Sequence, residues 1–120
     1  VLILLVEDDL KRMRVLKKCL ESETLHVITA EDGREAMRLL KKQKFDLIFS
    51  DVNMPFMSGY ALVENIRKDD DLKSIPFLMY SSKPISADNQ MLALESGASG
   101  CIQSTEPEDI KNEAMPYLVK

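Results

Sequence analysis

The sequence predicts a doubly wound α/β fold of five parallel strands and five helices. Three observations carry this. Short apolar runs alternate along the chain with longer stretches whose apolar residues recur at helical spacing. Each apolar run stops at a polar turn. The 120 residues are 45% apolar and 30% charged, which suits one globular domain over residues 1–120 with a single core.

Val1 to Val6 is continuously apolar and ends at Glu7-Asp8-Asp9, so it reads as a strand buried on both faces. From Leu10 the period changes. Met13, Leu16 and Leu20 share one helical face, with Lys11, Arg12, Arg14 and Lys18 mostly elsewhere, and Asp8 or Asp9 is placed to cap the helix. His26 to Ala30 is a shorter, less apolar strand that suits a sheet edge. After the Asp32-Gly33 loop, Ala36, Met37, Leu39 and Leu40 form a second helix ending in lysines, as its dipole favours. Leu47-Ile48-Phe49 leads into Ser50-Asp51 as strand 3, and Met54 to Gly59 is a loop. Ala61, Leu62, Val63 and Ile66 carry the third helix, closed by Lys68 to Asp71.

Phe77 to Tyr80 follows Pro76 as strand 4 and stops at Ser81-Ser82. Ser86 opens a fourth helix carrying Met91, Leu92 and Leu94, and Gly97 stops it. Gly100 to Gln103 is a weak fifth strand. Thr105 and Glu108 form a capping-box pattern before a last helix through Ile110 and Met115, which Pro116 should kink or end. Strict alternation of this kind implies right-handed crossovers and helices on both sheet faces. At this length the flavodoxin-like strand order 2-1-3-4-5 is expected.

Several functions are excluded early. A net charge of −4 argues against duplex binding, which needs a basic face to displace counterions. No apolar run approaches the ~18 residues of a membrane span. Cys19 and Cys101 lie far apart without zinc-type spacing, so a reducing cytoplasm is expected.

In such a sheet the site lies beyond the carboxyl ends of the strands, where strand order reverses between strands 1 and 3. Glu7, Asp8 and Asp51 stand there, with Ser81 and Ser82 at the end of neighbouring strand 4. Like charges about 4 Å apart repel by about 4 kcal/mol at an effective dielectric of 20. Protons, a basic side chain or a cation must therefore neutralise the group. Hard oxygen ligands from strand-end loops suit Mg²⁺.

Val6-Glu7-Asp8-Asp9, Asp51-Val52-Asn53-Met54-Pro55 with Met57-Ser58-Gly59, Asp32-Gly33 with Glu35-Ala36, and Gly97-Ala98-Ser99-Gly100 recur at these spacings along essentially the whole chain. In these motifs the sequence resembles receiver domains of two-component response regulators, the CheY-like superfamily. The resemblance implies that Asp51 is the phosphoacceptor, loaded by a histidine kinase or phosphotransfer protein. It implies that Asp8, Asp51, the Asn53 carbonyl and Glu7, directly or through water, hold Mg²⁺. Ser81 matches the switch hydroxyl that hydrogen-bonds the phosphoryl group. Asn53, Ser82, Lys83 and Ser104 fall around that group. The output partner, a downstream protein or an attached domain, is expected on the face of helix 4, strand 5 and helix 5. The domain is expected to be a phosphoacceptor rather than an enzyme, because Asn53 cannot supply the proton an aspartyl-phosphate phosphatase needs at that position.

Two departures stand out. The lysine that receivers usually carry after strand 5 is replaced by Ser104, followed by Thr105, and no Lys or Arg lies between Lys83 and Lys111. Lys83, two residues after Ser81, is the nearby candidate to compensate, although a solvated loop lysine is what such a position usually holds. Cys101 stands where strand 5 commonly carries Tyr or Phe, and is expected to pack as an inert thiol. The acceptor half is thus intact and the output half divergent. The competing expectation is a receiver-fold binding module whose partner contact is independent of phosphorylation.

Overall fold

A computed structural model describes residues 1–54 and 56–118; Pro55 of the central motif lies outside the described residues. The elements are β1 (Leu2–Val6), α1 (Leu10–Leu20), β2 (His26–Ala30), α2 (Gly33–Lys42), β3 (Leu47–Asp51), α3 (Gly59–Lys68), β4 (Phe77–Tyr80), α4 (Ala87–Ser96), β5 (Gly100–Cys101) and α5 (Pro107–Leu118). All strand pairs are parallel and the order is β2-β1-β3-β4-β5, as expected.

Alternation along the strands separates two core layers. Leu4, Val6, Ile48, Phe77 and Met79 face α2, α3 and α4, packing with Ala36, Leu40, Leu62, Val63, Ile66 and Ala93. Ile3, Leu5, Leu47, Phe49, Leu78 and Tyr80 point the other way, onto Met13, Leu16 and Leu20 of α1 and Ile110 and Ala114 of α5. No described helix is long and apolar enough to cross a membrane.

Side-chain caps set where helices start. Asp9 accepts from the amides of Lys11 and Arg12, Asp32 from Glu35, Ser58 from Ala61 and Ser86 from Asn89. The expected Thr105–Glu108 box does not form. α5 begins at Pro107 instead, with the Glu106 carbonyl accepting the Ile110 amide at 2.9 Å. Proline lacks the amide that a first helical residue would leave unpaired, which favours it there. Nor does Pro116 end α5, which runs on to Leu118. It sits in the last turn, where few backbone bonds remain to be lost. β5 is shorter than expected, although the Ile102 amide still bonds the Met79 carbonyl at 2.7 Å.

α4 departs most from its sequence reading. Met91, Leu92 and Leu94 are 64%, 44% and 56% exposed, and Ala93 is its buried residue. Its apolar residues thus face outward. Its C-terminal end is fixed by Arg67 of α3, whose Nε donates to the Gly97 carbonyl at 2.8 Å. The Arg67 Nη1 donates to the carbonyls of Lys73 and Ile75 at 3.1 and 2.7 Å. Gly97 takes φ +119°, and a Cβ there would lie 2.6 Å from the Arg67 Cγ, so only glycine suits this turn.

Candidate functional site

β1 and β3 pair directly, with Val6 opposite Ser50, so Glu7 and Asp51 emerge side by side. One carboxylate oxygen each from Glu7, Asp8 and Asp51 lies within 4.8 Å of the others. Glu7 is fully buried, Asp51 half-buried and Asp8 exposed. The cluster opens to solvent on the Asp8 side. Three close oxygen donors with one solvent-facing edge match the preference of Mg²⁺ for few carboxylates and several waters.

Burial and the neighbouring Asp51 push the Glu7 carboxyl up to about 7. Asp51 is also raised, by burial, while its hydrogen bonds to Glu7 and to the Asn53 amide and the charge of Arg12 work against the rise. The Asn53 amide donates to the Asp51 Oδ1 at 3.3 Å, which ties the following loop to the acceptor. Gly59 closes the loop on its far side: a Cβ there would lie 2.7 Å from the Asp51 carbonyl oxygen.

Ser81 follows Tyr80, which pairs with Asp51 across the β3–β4 ladder. It is half-buried, and its Oγ accepts the Lys83 amide at 3.4 Å. Ser82 and Lys83 are exposed, and Lys83 forms no ion pair with any described residue. A basic side chain does reach the acids from α1. Arg12 Nε of α1 lies 3.3 Å from Glu7 Oε1, and its guanidinium carbon stands 5.2 Å from the Tyr80 ring centroid.

Ser104 is also engaged elsewhere. Its amide donates to the Glu113 Oε2 at 2.9 Å, and the Gln103 amide to Oε1 at 3.2 Å. Burial pushes the Glu113 carboxyl up, but these amides and the Ser104 hydroxyl outweigh it and hold the group below its usual range. The end of β5 is thus clasped to α5. Cys101 is half-buried and free, with its thiol pushed up by burial.

Arg12 and Tyr80 escaped the sequence reading. The Tyr80 hydroxyl donates to Glu7 Oε1 at 2.9 Å, and burial together with Glu7 holds it well above its ordinary range, so it stays a donor. A signal existed for Arg12. It lies four residues before Leu16 and eight before Leu20, on the row of α1 that faces the sheet. A long cation on a core-facing row needs an acid at its tip.

The family model described as the response regulator receiver domain matches residues 3–114. Chemotaxis protein CheY-3 of Vibrio cholerae is 36% identical over 101 residues, covering 83% of this chain and 77% of that protein. The probable transcriptional regulator ycf29 of Porphyra purpurea is 38% identical over 86 residues, 72% of this chain but only 41% of its own length. Sensor histidine kinase RcsC of Escherichia coli is 32% identical over 114 residues, 95% of this chain and 12% of that kinase. Among solved structures, the chemotaxis response regulator CheY4 of Vibrio cholerae superposes with a TM-score of 0.89 at 30% identity, over 98% of both chains. With its β2-β1-β3-β4-β5 sheet and its acidic switch point, the chain belongs to the response regulator receiver domain family of two-component signalling.

Proposed function

We propose that Asp51 accepts a phosphoryl group from a histidine kinase or phosphotransfer protein, and that the α4–β5–α5 face passes the change to a downstream protein or attached output domain. The observation that carries this reading is the convergence of Glu7, Asp8 and Asp51 oxygens within 4.8 Å at the switch point of the sheet. Asp8, Asp51, Glu7 and the Asn53 carbonyl would hold Mg²⁺. When bound, the ion screens the negative charges of acceptor and donor so that they can approach. An Asp51 carboxylate oxygen forms the new P–O bond as the donor's P–N bond breaks, and the departing imidazole nitrogen keeps the electron pair. Ser81 donates its hydroxyl hydrogen to a phosphoryl oxygen and draws the loop after β4 inward.

The domain acts as a phosphoacceptor, not as an enzyme, since Asn53 offers no titratable proton. The exposed Met91, Leu92 and Leu94 supply an apolar surface on the output side. Free Cys19 and Cys101 suit a reducing cytoplasm. A second reading, partner binding independent of phosphorylation, is favoured by the Glu113 clasp, which ties the end of β5 to α5 through local contacts alone.

The test is incubation with Mg²⁺ and acetyl phosphate, followed by intact mass, and titration with beryllofluoride followed by amide NMR. An adduct at Asp51 with shifts reaching Ser81, α4 and β5 supports the switch. No adduct removes it, and an adduct whose shifts stop at the pocket favours the second reading.

A further inference from the structure

The acid cluster contains three carboxylates, and among the described residues the cation paired with it is Arg12. Its side chain is 20% exposed, pinned between the Tyr80 ring and Glu7. Nε bonds Glu7, while Nη2 is buried with no hydrogen-bond partner. A buried guanidinium N–H without an acceptor is costly, and native structures rarely leave one so unless something completes it. Arg12 also acts on Asp51, whose carboxyl its charge favours in the ionised form. Ser104, the sequence candidate for this corner, is occupied by Glu113.

We propose that Arg12 is the built-in counter-cation of the acid cluster, holding Glu7 in the unloaded state and binding the phosphoryl group once Asp51 carries it. The inference rests on the proposed phosphoacceptor role of Asp51. Its electrostatics set two effects of opposite sign. A fixed positive charge beside Glu7 opposes an incoming Mg²⁺. The same charge attracts a phosphoryl group, and the unpartnered Nη2 provides a charge-assisted donor for one of its oxygens. A residue that merely packs α1 on the sheet would show neither sign reliably.

The experiment compares wild type with Arg12→Gln and Arg12→Lys. Mg²⁺ affinity is read by amide NMR without any phosphodonor, and beryllofluoride affinity is read at saturating Mg²⁺. Thermal unfolding confirms that each variant is folded. Arg12→Gln should bind Mg²⁺ several-fold more tightly and beryllofluoride about tenfold or more weakly, the size of a lost charge-assisted bond. Arg12→Lys should lie near wild type for Mg²⁺ and between the two for beryllofluoride, since it keeps the charge but not the forked donors. Unchanged affinities in Arg12→Gln, or both affinities weakened together, would overturn the proposal. If wild type takes no beryllofluoride, the phosphoacceptor reading fails, and the Mg²⁺ comparison alone still decides whether Arg12 is the counter-cation.

Discussion

Replacing Glu7 with Gln should stabilise the metal-free domain at alkaline pH. Coulomb repulsion and linkage, which share the Asp51 charge, set the magnitude. Glu7 and Asp51 present oxygens within 4.8 Å, and two unit charges at that separation repel by about 3 kcal/mol at an effective dielectric of 20. Linkage leads to the same figure. The Glu7 carboxyl titrates at about 7 when folded, against a usual 4.5, and that gap corresponds to about 3 kcal/mol. The folded state binds its proton more tightly than the unfolded chain does. Stability is therefore full below about pH 4.5 and is lost as pH rises towards and through 7. The Arg12 ion pair and solvent entering from the Asp8 side reduce the loss, so about 2 kcal/mol is expected. Gln keeps an acceptor for the Tyr80 hydroxyl and carries no charge. The assay is urea unfolding at pH 5, 6, 7 and 8 with chelator present. Wild type should weaken across the series, and Glu7→Gln should weaken much less, exceeding wild type at pH 8 by about 2 kcal/mol in unfolding free energy. Adding Mg²⁺ at pH 8 should restore much of the deficit to wild type alone. Equal stability of the two proteins at pH 8, with parallel pH dependence, would refute the claim that the cluster is held together against its own repulsion.

Gly59→Ala should cost about 2 kcal/mol and slow acetyl-phosphate loading, because the new Cβ meets the Asp51 carbonyl oxygen at 2.7 Å and must displace the acceptor loop; unfolding curves and intact mass over time check both. Arg67→Met should destabilise by about 3 kcal/mol, since the carbonyls of Gly97, Lys73 and Ile75 lose their donors, and hydrogen exchange at the end of α4 should quicken most. Glu113→Gln should cost about 1 kcal/mol at pH 7 and progressively less as acid protonates the wild-type carboxyl, because a carboxyl held low when folded stabilises only while ionised; denaturant unfolding over a falling pH series decides it. Ser104→Lys should strengthen beryllofluoride capture or enlarge its amide shifts by restoring a cation after β5, and unchanged spectra would show that this position is not where the divergence acts.

Much of the acceptor half is legible in the sequence because it depends on short-range rules. Apolar runs ending at Glu7 and at Ser50-Asp51 locate two strand ends, and right-handed crossovers make those strands neighbours. The capping serines and aspartates are local as well. What escaped depends on how α1 and α5 lie on the sheet. Arg12 reaches Glu7 only because α1 packs over Tyr80, and Ser104 meets Glu113 only because α5 brings a residue six positions past its start to the end of β5. Met91, Leu92 and Leu94 look like core residues by composition. Their exposure follows from α4 lying over β5, two residues long, with Ala93 as its contact. Pro107 carried a start signal that the nearby Thr105–Glu108 pattern masked.

The three carbonyls gripped by Arg67 make α4 a beam clamped at one end. Its ten residues span about 15 Å. The Gly97 end is fastened to α3 and to the segment before β4, whereas the Ser86 end joins the loop that starts at Ser81, in which Ile85 packs into the core. A pull on Ser81 should therefore swing the beam about Gly97 rather than slide it. Travel grows with distance from the pivot, so Met91 should sweep farther than Leu94. Of the two, Met91 is thus the more sensitive place for a spin or fluorine label.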